Sequence, residues 1–105
     1  MILHAVFCNV LARVSTSERA EVFERLSKLS KSLDGVLSFE AGPNRDFEGK
    51  SPNYSDGFVI CFTDRGALAR YAEHPEHLAL GAKLCTICEG GADGIVERMA
   101  SSSSI

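Results

Sequence analysis

The chain has no tryptophan, only three prolines and three histidines among 105 residues, and no surplus of positive charge. Eleven Lys and Arg against fourteen Asp and Glu leave a net charge of −3. Nucleic-acid backbones select basic surfaces, so this balance argues against such a partner, and no cluster of Lys or Arg overrules it. No apolar run approaches the roughly 20 residues of a membrane span, which excludes a transmembrane helix as an expectation. Met1-Ile2-Leu3-His4 lacks the basic start of a signal peptide and reads as strand, so a cytoplasmic location is expected. What is present is ordinary globular composition, 45% apolar and 24% charged. The length suits one core. The expected organisation is a single domain over residues 1–100, with 101–105 as a short, disordered polar tail.

Four cysteines, Cys8, Cys61, Cys85 and Cys88, are too few and too scattered for a disulfide scaffold, and a cytosolic setting disfavours one. Cys85-Thr86-Ile87-Cys88 has metal or redox spacing, but zinc wants about four ligands and no second Cys pair exists. A thioredoxin-type pair opens a helix, whereas this one closes a helical pattern. Small core residues are the expected role. No metal and no cofactor is called for.

Ile2 to Asn9 reads as a strand with two largely apolar faces, both expected to be covered. Ser15 with Glu18 forms a capping box, and Val22, Phe23, Leu26, Leu29 and Leu33 make an apolar helical stripe that ends at Asp34-Gly35. Glu21, Glu24, Arg25, Lys28 and Lys31 form its solvated face. Val36 to Ala41 is a second strand, and Gly42 to Asn53 a polar connection. Phe58 to Thr63 is a third strand, with Phe58, Ile60 and Phe62 on one side. Asp64 caps a second helix. Proline is tolerated at a helix start and not inside one, so Pro75 divides this region: one helix stops near Ala72 or Glu73, and another runs from Pro75 to about Cys88. Gly94 to Met99 is the last strand. The order strand, helix, strand, strand, helix, strand predicts an α+β, ferredoxin-like fold: a four-stranded antiparallel sheet with helices on one face. The first and third strands are expected to be central and mutually parallel.

The richest stretch for chemistry is Tyr71-Ala72-Glu73-His74-Pro75-Glu76-His77, a phenol and two imidazoles at a helix corner. With the first and third strands parallel, His4 and Asp56 would share one end of the sheet, and the second helix would bring Tyr71, His74 and His77 back toward it. Three imidazoles, a phenol and a carboxylate together make an acid/base site. Each has a structural alternative. His4 can be a satisfied core histidine, and Tyr71 can pack its ring on the sheet. His74 can cap a helix end as a cation, and Asp56 can be a turn residue before Gly57. His/Asp metal ligation lacks tight spacing.

The residues also resemble the stress-responsive dimeric α/β-barrel family, over nearly the whole chain. The resemblance rests on Ile2-Leu3-His4, Leu33-Asp34-Gly35-Val36 with Phe39-Glu40, Gly42-Pro43-Asn44, Tyr54-Ser55-Asp56-Gly57-Phe58, Phe62-Thr63-Asp64, and Tyr-x-x-His-Pro-x-His from Tyr71 to His77. It implies a homodimer whose two sheets face each other, which agrees with the apolar outer face of the first strand. A plant relative that closes a polyketide by aldol condensation implies His77 as general base, Tyr71 as orienting group, and His4 in the pocket wall. At Asp56 the present chain departs from that relative's histidine. The expected function is binding of a small hydrophobic carbonyl compound between sheet and helices, with His4, Asp56, Phe58 and His74 as contacts and cofactor-free acid/base catalysis by His77 and Tyr71. The alternatives are a non-catalytic dimeric binding protein, or a cofactor-free monooxygenase or haem-degrading enzyme on the same fold.

Overall fold

The computed structural model describes residues 1–51 and 53–101. Its elements run β1 (Ile2–Cys8), α1 (Thr16–Ser32), β2 (Val36–Pro43), β3 (Asp56–Phe62), α2 (Arg65–Glu73), α3 (Pro75–Ile87), a 3₁₀ turn (Gly91–Gly94) and β4 (Ile95–Ser101). Ser101, expected to open a polar tail over 101–105, pairs with Ile2 and belongs to β4. Residues 102–105 lie outside the described residues.

The capping chemistry acts where expected. Ser15 accepts from Glu18 N at 3.1 Å and starts α1. Asp64 Oδ1 accepts from Ala67 N at 2.9 Å and starts α2. Gly35, at φ 86°, turns α1 into β2. A Cβ there would also sit 2.5 Å from Ala67 Cβ, so the glycine lets α2 pack on that turn.

The sheet order is β2-β3-β1-β4 and every neighbouring pair is antiparallel. This corrects the expected parallel pairing of β1 with β3. Each helical crossover joins strands that are not neighbours, and the connection from β2 to β3 is a hairpin, so β3 reverses beside both β2 and β1. In register, Ile2 faces Phe62, His4 faces Ile60 and Cys8 faces Asp56.

Period-2 alternation then decides burial. Ile2, His4, Val6 and Cys8 from β1 and Phe58, Ile60 and Phe62 from β3 turn toward the helices and are buried. They meet Val22, Leu26 and Leu29 of α1, Tyr71 of α2, and Leu80 and Leu84 of α3 in one core. The other parity of β1 is not covered: Leu3 and Ala5 are half-buried and Phe7 is 41% exposed. No helix among the described residues is long and apolar enough to cross a membrane.

Candidate active site

The break at Pro75 organises the site. An uninterrupted helix would satisfy the Ala72 carbonyl with the Glu76 amide. Here the chain reaches Pro75 through an extended His74, and Glu76 N donates to His74 Nδ1 at 3.1 Å. His74 therefore caps α3 as an acceptor, with no proton on Nδ1. This corrects the expected cationic cap, and His74 does not line the cavity described below. The freed Ala72 carbonyl lies 3.1 Å from His77 Nδ1. A carbonyl only accepts, so Nδ1 carries a proton, and of the two neutral tautomers this contact selects the one with its lone pair on Nε2.

Tyr71, one residue before that carbonyl, is 1% exposed. Its ring lies 4.3 Å from His77, 5.4 Å from Phe62 and 6.2 Å from His4, centroid to centroid. Burial pushes its hydroxyl up to about 12, and the neighbouring Ser30 hydroxyl offsets part of that rise. The phenol is thus a hydrogen-bond donor at any physiological pH. Ser30 is itself fully buried and donates to Leu26 O at 2.7 Å.

His4 is 4% exposed, and its Nδ1 has no hydrogen-bond partner. Its Nε2 lies 4.0 Å from Glu97 Oε1, on β4. Burial pushes the His4 imidazole below its usual 6.5; Glu97 pulls it back up, and His77 pushes it down again. Desolvation prevails, and His4 is a neutral ring in an apolar wall.

These groups border one cavity of about 470 Å³ between the sheet and the helices. His4, Tyr71, His77 and Glu97 supply its polar wall, and Val6, Leu26, Phe58, Leu84 and Ile95 much of its apolar wall. That mixture of a few convergent polar groups on an apolar lining, and that volume, are typical of small-molecule sites. Asp56 is not among them. The antiparallel register puts it opposite Cys8, four residues or roughly 13 Å along β3 from the partner of His4. There it is 7% exposed and accepts from Arg19 Nη1 at 2.7 Å, a partly buried ion pair tying β3 to α1. Phe58 joins the two ends: it lines the site cavity and also a second cavity of about 510 Å³ that Asp56, Phe7 and Tyr54 border.

Sequence reasoning missed Glu97, Ser30 and Arg19. Glu97 had a signal, because it shares inward parity with Ile95 and Met99 on an edge strand. The register that aims it at His4 has none. No group of three or more His, Cys, Asp or Glu able to hold a metal occurs among the described residues. The four cysteines are free; burial pushes the Cys8 thiol up to about 12, with Cys88 beside it adding to the rise.

The chain matches the model of the stress responsive A/B barrel domain over residues 2–98. No curated protein matches it. Among solved structures it is similar to a dimeric ferredoxin-like protein of unknown function from Jannaschia sp. CCS1. That pair is 38% identical at a TM-score of 0.90, over 96% of this chain and 98% of that one. A protein from Arabidopsis thaliana superposes at a TM-score of 0.85 with 18% identity, over 100% and 98% of the two chains. A hydroxynitrile lyase from Passiflora edulis superposes at 0.83 with 12% identity, over 99% and 94%. The last two likenesses show the fold alone. The sheet order, the helices on one face and the match over nearly the whole length place this chain in the stress-responsive A/B barrel domain family.

Proposed function

We propose that the 470 Å³ cavity binds a small, largely apolar carbonyl compound and that His77 acts on it as a general base. One observation carries the reading: the Ala72 carbonyl holds His77 Nδ1–H, which leaves Nε2 basic beside a protonated Tyr71 in an apolar site. Nε2 takes a proton from the carbon next to the carbonyl. The Tyr71 hydroxyl donates to the enolate oxygen that develops. In an aldol-type reaction the enolate carbon then attacks a second carbonyl, a carbon–carbon bond forms, and the new alkoxide recovers the proton from Nε2–H. His4 and Glu97 hold the far wall and orient the substrate. Asp56 has a structural role in this reading, and Phe58 supplies apolar contact.

The site works within a homodimer. The outer face of the sheet carries Leu3, Ala5, Phe7 and Val59 without cover, and such a face is stable in water when a second copy hides it.

The test is proton exchange. Simple aryl alkyl ketones in D₂O are followed by NMR with and without protein. The wild type accelerates loss of the proton next to the carbonyl, and His77→Ala loses that acceleration by about 100-fold or more. A ketone that binds, shown by a raised melting temperature, while exchange stays at the buffer rate would reduce the site to a binding pocket.

A further inference from the structure

Three of the four thiols, Cys8, Cys85 and Cys88, gather where the end of β1 meets the end of α3. Val10 bridges Cys88 there, with Leu11 N donating to Ile87 O at 2.9 Å and Glu89 N donating to Asn9 O at 2.8 Å. Cys8 and Cys88 are 0% and 3% exposed, and the Cys8 thiol is within hydrogen-bonding reach of the Cys88 sulfur. Cys85 differs from both. It is half-buried and borders the cavity of about 470 Å³. His77, Gly81 and Cys85 follow at four-residue steps along α3, and all three border that cavity. Cys85 thus stands roughly 12 Å along the helix from His77. A Cβ at Gly81 would meet nothing within 4 Å, so the glycine leaves the middle of this wall open. The last turn of α3 closes with Cys88 N donating to Cys85 O at 3.4 Å. In a turn of that kind side chains i and i+3 stand one above the other, with Cα atoms about 6 Å apart, within the reach of a disulfide.

We propose that Cys85 is an oxidation site for apolar organic hydroperoxides that enter the cavity, and that Cys88 resolves it as a disulfide. The Cys85 sulfur attacks the outer peroxide oxygen. The O–O bond breaks, an S–O bond forms, and the alcohol leaves with the thiol proton. The Cys88 sulfur then attacks the Cys85 sulfur. An S–S bond forms, the S–O bond breaks, and the hydroxyl leaves as water with the Cys88 proton. The two thiols give up two electrons, and the hydroperoxide is reduced to alcohol and water. The closing end of a helix does not activate a thiol, because its dipole disfavours the thiolate. Selectivity comes instead from the apolar route to Cys85 and from a second thiol three residues on. Cys8 and Cys88 lie in the core and meet no peroxide directly. Cys61, half-buried on the opposite face of the sheet, lies off this route and is an internal reference. The step uses the cavity and not the base chemistry of His77.

The reduced full chain is treated with cumene hydroperoxide or hydrogen peroxide, and thiols and disulfides are mapped in tryptic peptides. Leu84–Arg98 holds both Cys85 and Cys88, and Met1–Arg13 holds Cys8. Cumene hydroperoxide oxidises Cys85 about tenfold or more faster than Cys61, and the product is Leu84–Arg98 short of two hydrogens, restored by dithiothreitol. Hydrogen peroxide, which needs no apolar route, narrows that ratio to within about threefold. Gly81→Leu fills the wall and removes the preference for cumene hydroperoxide. Cys88→Ser leaves Cys85 as a sulfenic acid that dimedone traps. A Cys85 oxidised no faster than Cys61 by cumene hydroperoxide, or an undiminished preference in Gly81→Leu, would overturn the cavity route. Wild-type oxidation that stops at a Cys85 sulfinic acid, or a disulfide joining Leu84–Arg98 to Met1–Arg13, would overturn Cys88 as the resolving thiol.

Discussion

At one end of the helix-covered sheet face Asp56 and Arg19 meet at 2.7 Å, and the buried carboxylate has its counter-charge, although Arg19 Nε has no hydrogen-bond partner. At the other end His4 Nδ1 has no partner, Glu97 stops 4.0 Å short of His4 Nε2, and His77 is bonded through Nδ1 alone. Both ends bury polar side chains on the same sheet face, and both involve residues that look equally chemical in the sequence. The difference is closure. A charge that meets its counter-charge stabilises the fold. An open set costs stability, because buried polar groups prefer partners, and keeps valences free for a guest.

Substitutions should therefore split cleanly between the two ends. The largest effect expected is on exchange activity: His77→Ala loses about 100-fold or more, while its urea midpoint stays near that of wild type because the ring is only half-buried. Asp56→Ala does the opposite. It leaves the Arg19 guanidinium without its partner and lowers unfolding free energy by about 2–4 kcal/mol in urea melts, with exchange changed less than about threefold. An Asp56→Ala variant that lost exchange but kept its stability would break the comparison.

His74→Ala tests the corner between the ends. Removing the Nδ1 acceptor leaves the Glu76 amide uncapped and costs about 1 kcal/mol in the same melts. It also frees that amide to compete for the Ala72 carbonyl that orients His77, so a modest loss of exchange should accompany it.

The smallest effect is a pH slope from His4. Its folded pKa lies below the 6.5 of the free side chain, so between those two values the unfolded chain binds more protons than the folded one. Stability falls as pH drops through that window and is flat above 6.5 as far as His4 is concerned. His4→Phe should flatten the slope of unfolding free energy between pH 5 and 7 measured in urea. An unchanged slope would mean that Glu97 offsets the burial of His4 more fully than its 4.0 Å distance allows.

Local rules in the sequence reached far into this molecule. Ser15 and Asp64 announce helix starts because a short oxygen-bearing side chain can reach an orphan amide. Pro75 announces a break because it has no N–H. Alternation in Ile2–Cys8 announces two faces, although the expectation that both are covered holds within the protomer only for the face toward the helices. The site was legible as far as Tyr71 and His77, whose approach follows from the helix corner itself. His4 came near them for a reason other than the one first argued. It is β3's last residue, Phe62 opposite Ile2, that launches α2 at the His4 end.

The sequence by itself determined the elements, their caps and the inward or outward sense of each strand residue, since these depend on neighbours a few positions away. The tertiary structure alone decided which end of the sheet each residue occupies. Strand direction and register depend on how the crossovers return, and one reversal of β3 moves Asp56 from the site to a structural ion pair. It alone brought Glu97 to His4 and turned the Ala72 carbonyl toward His77, because both contacts join groups whose meeting no local pattern encodes.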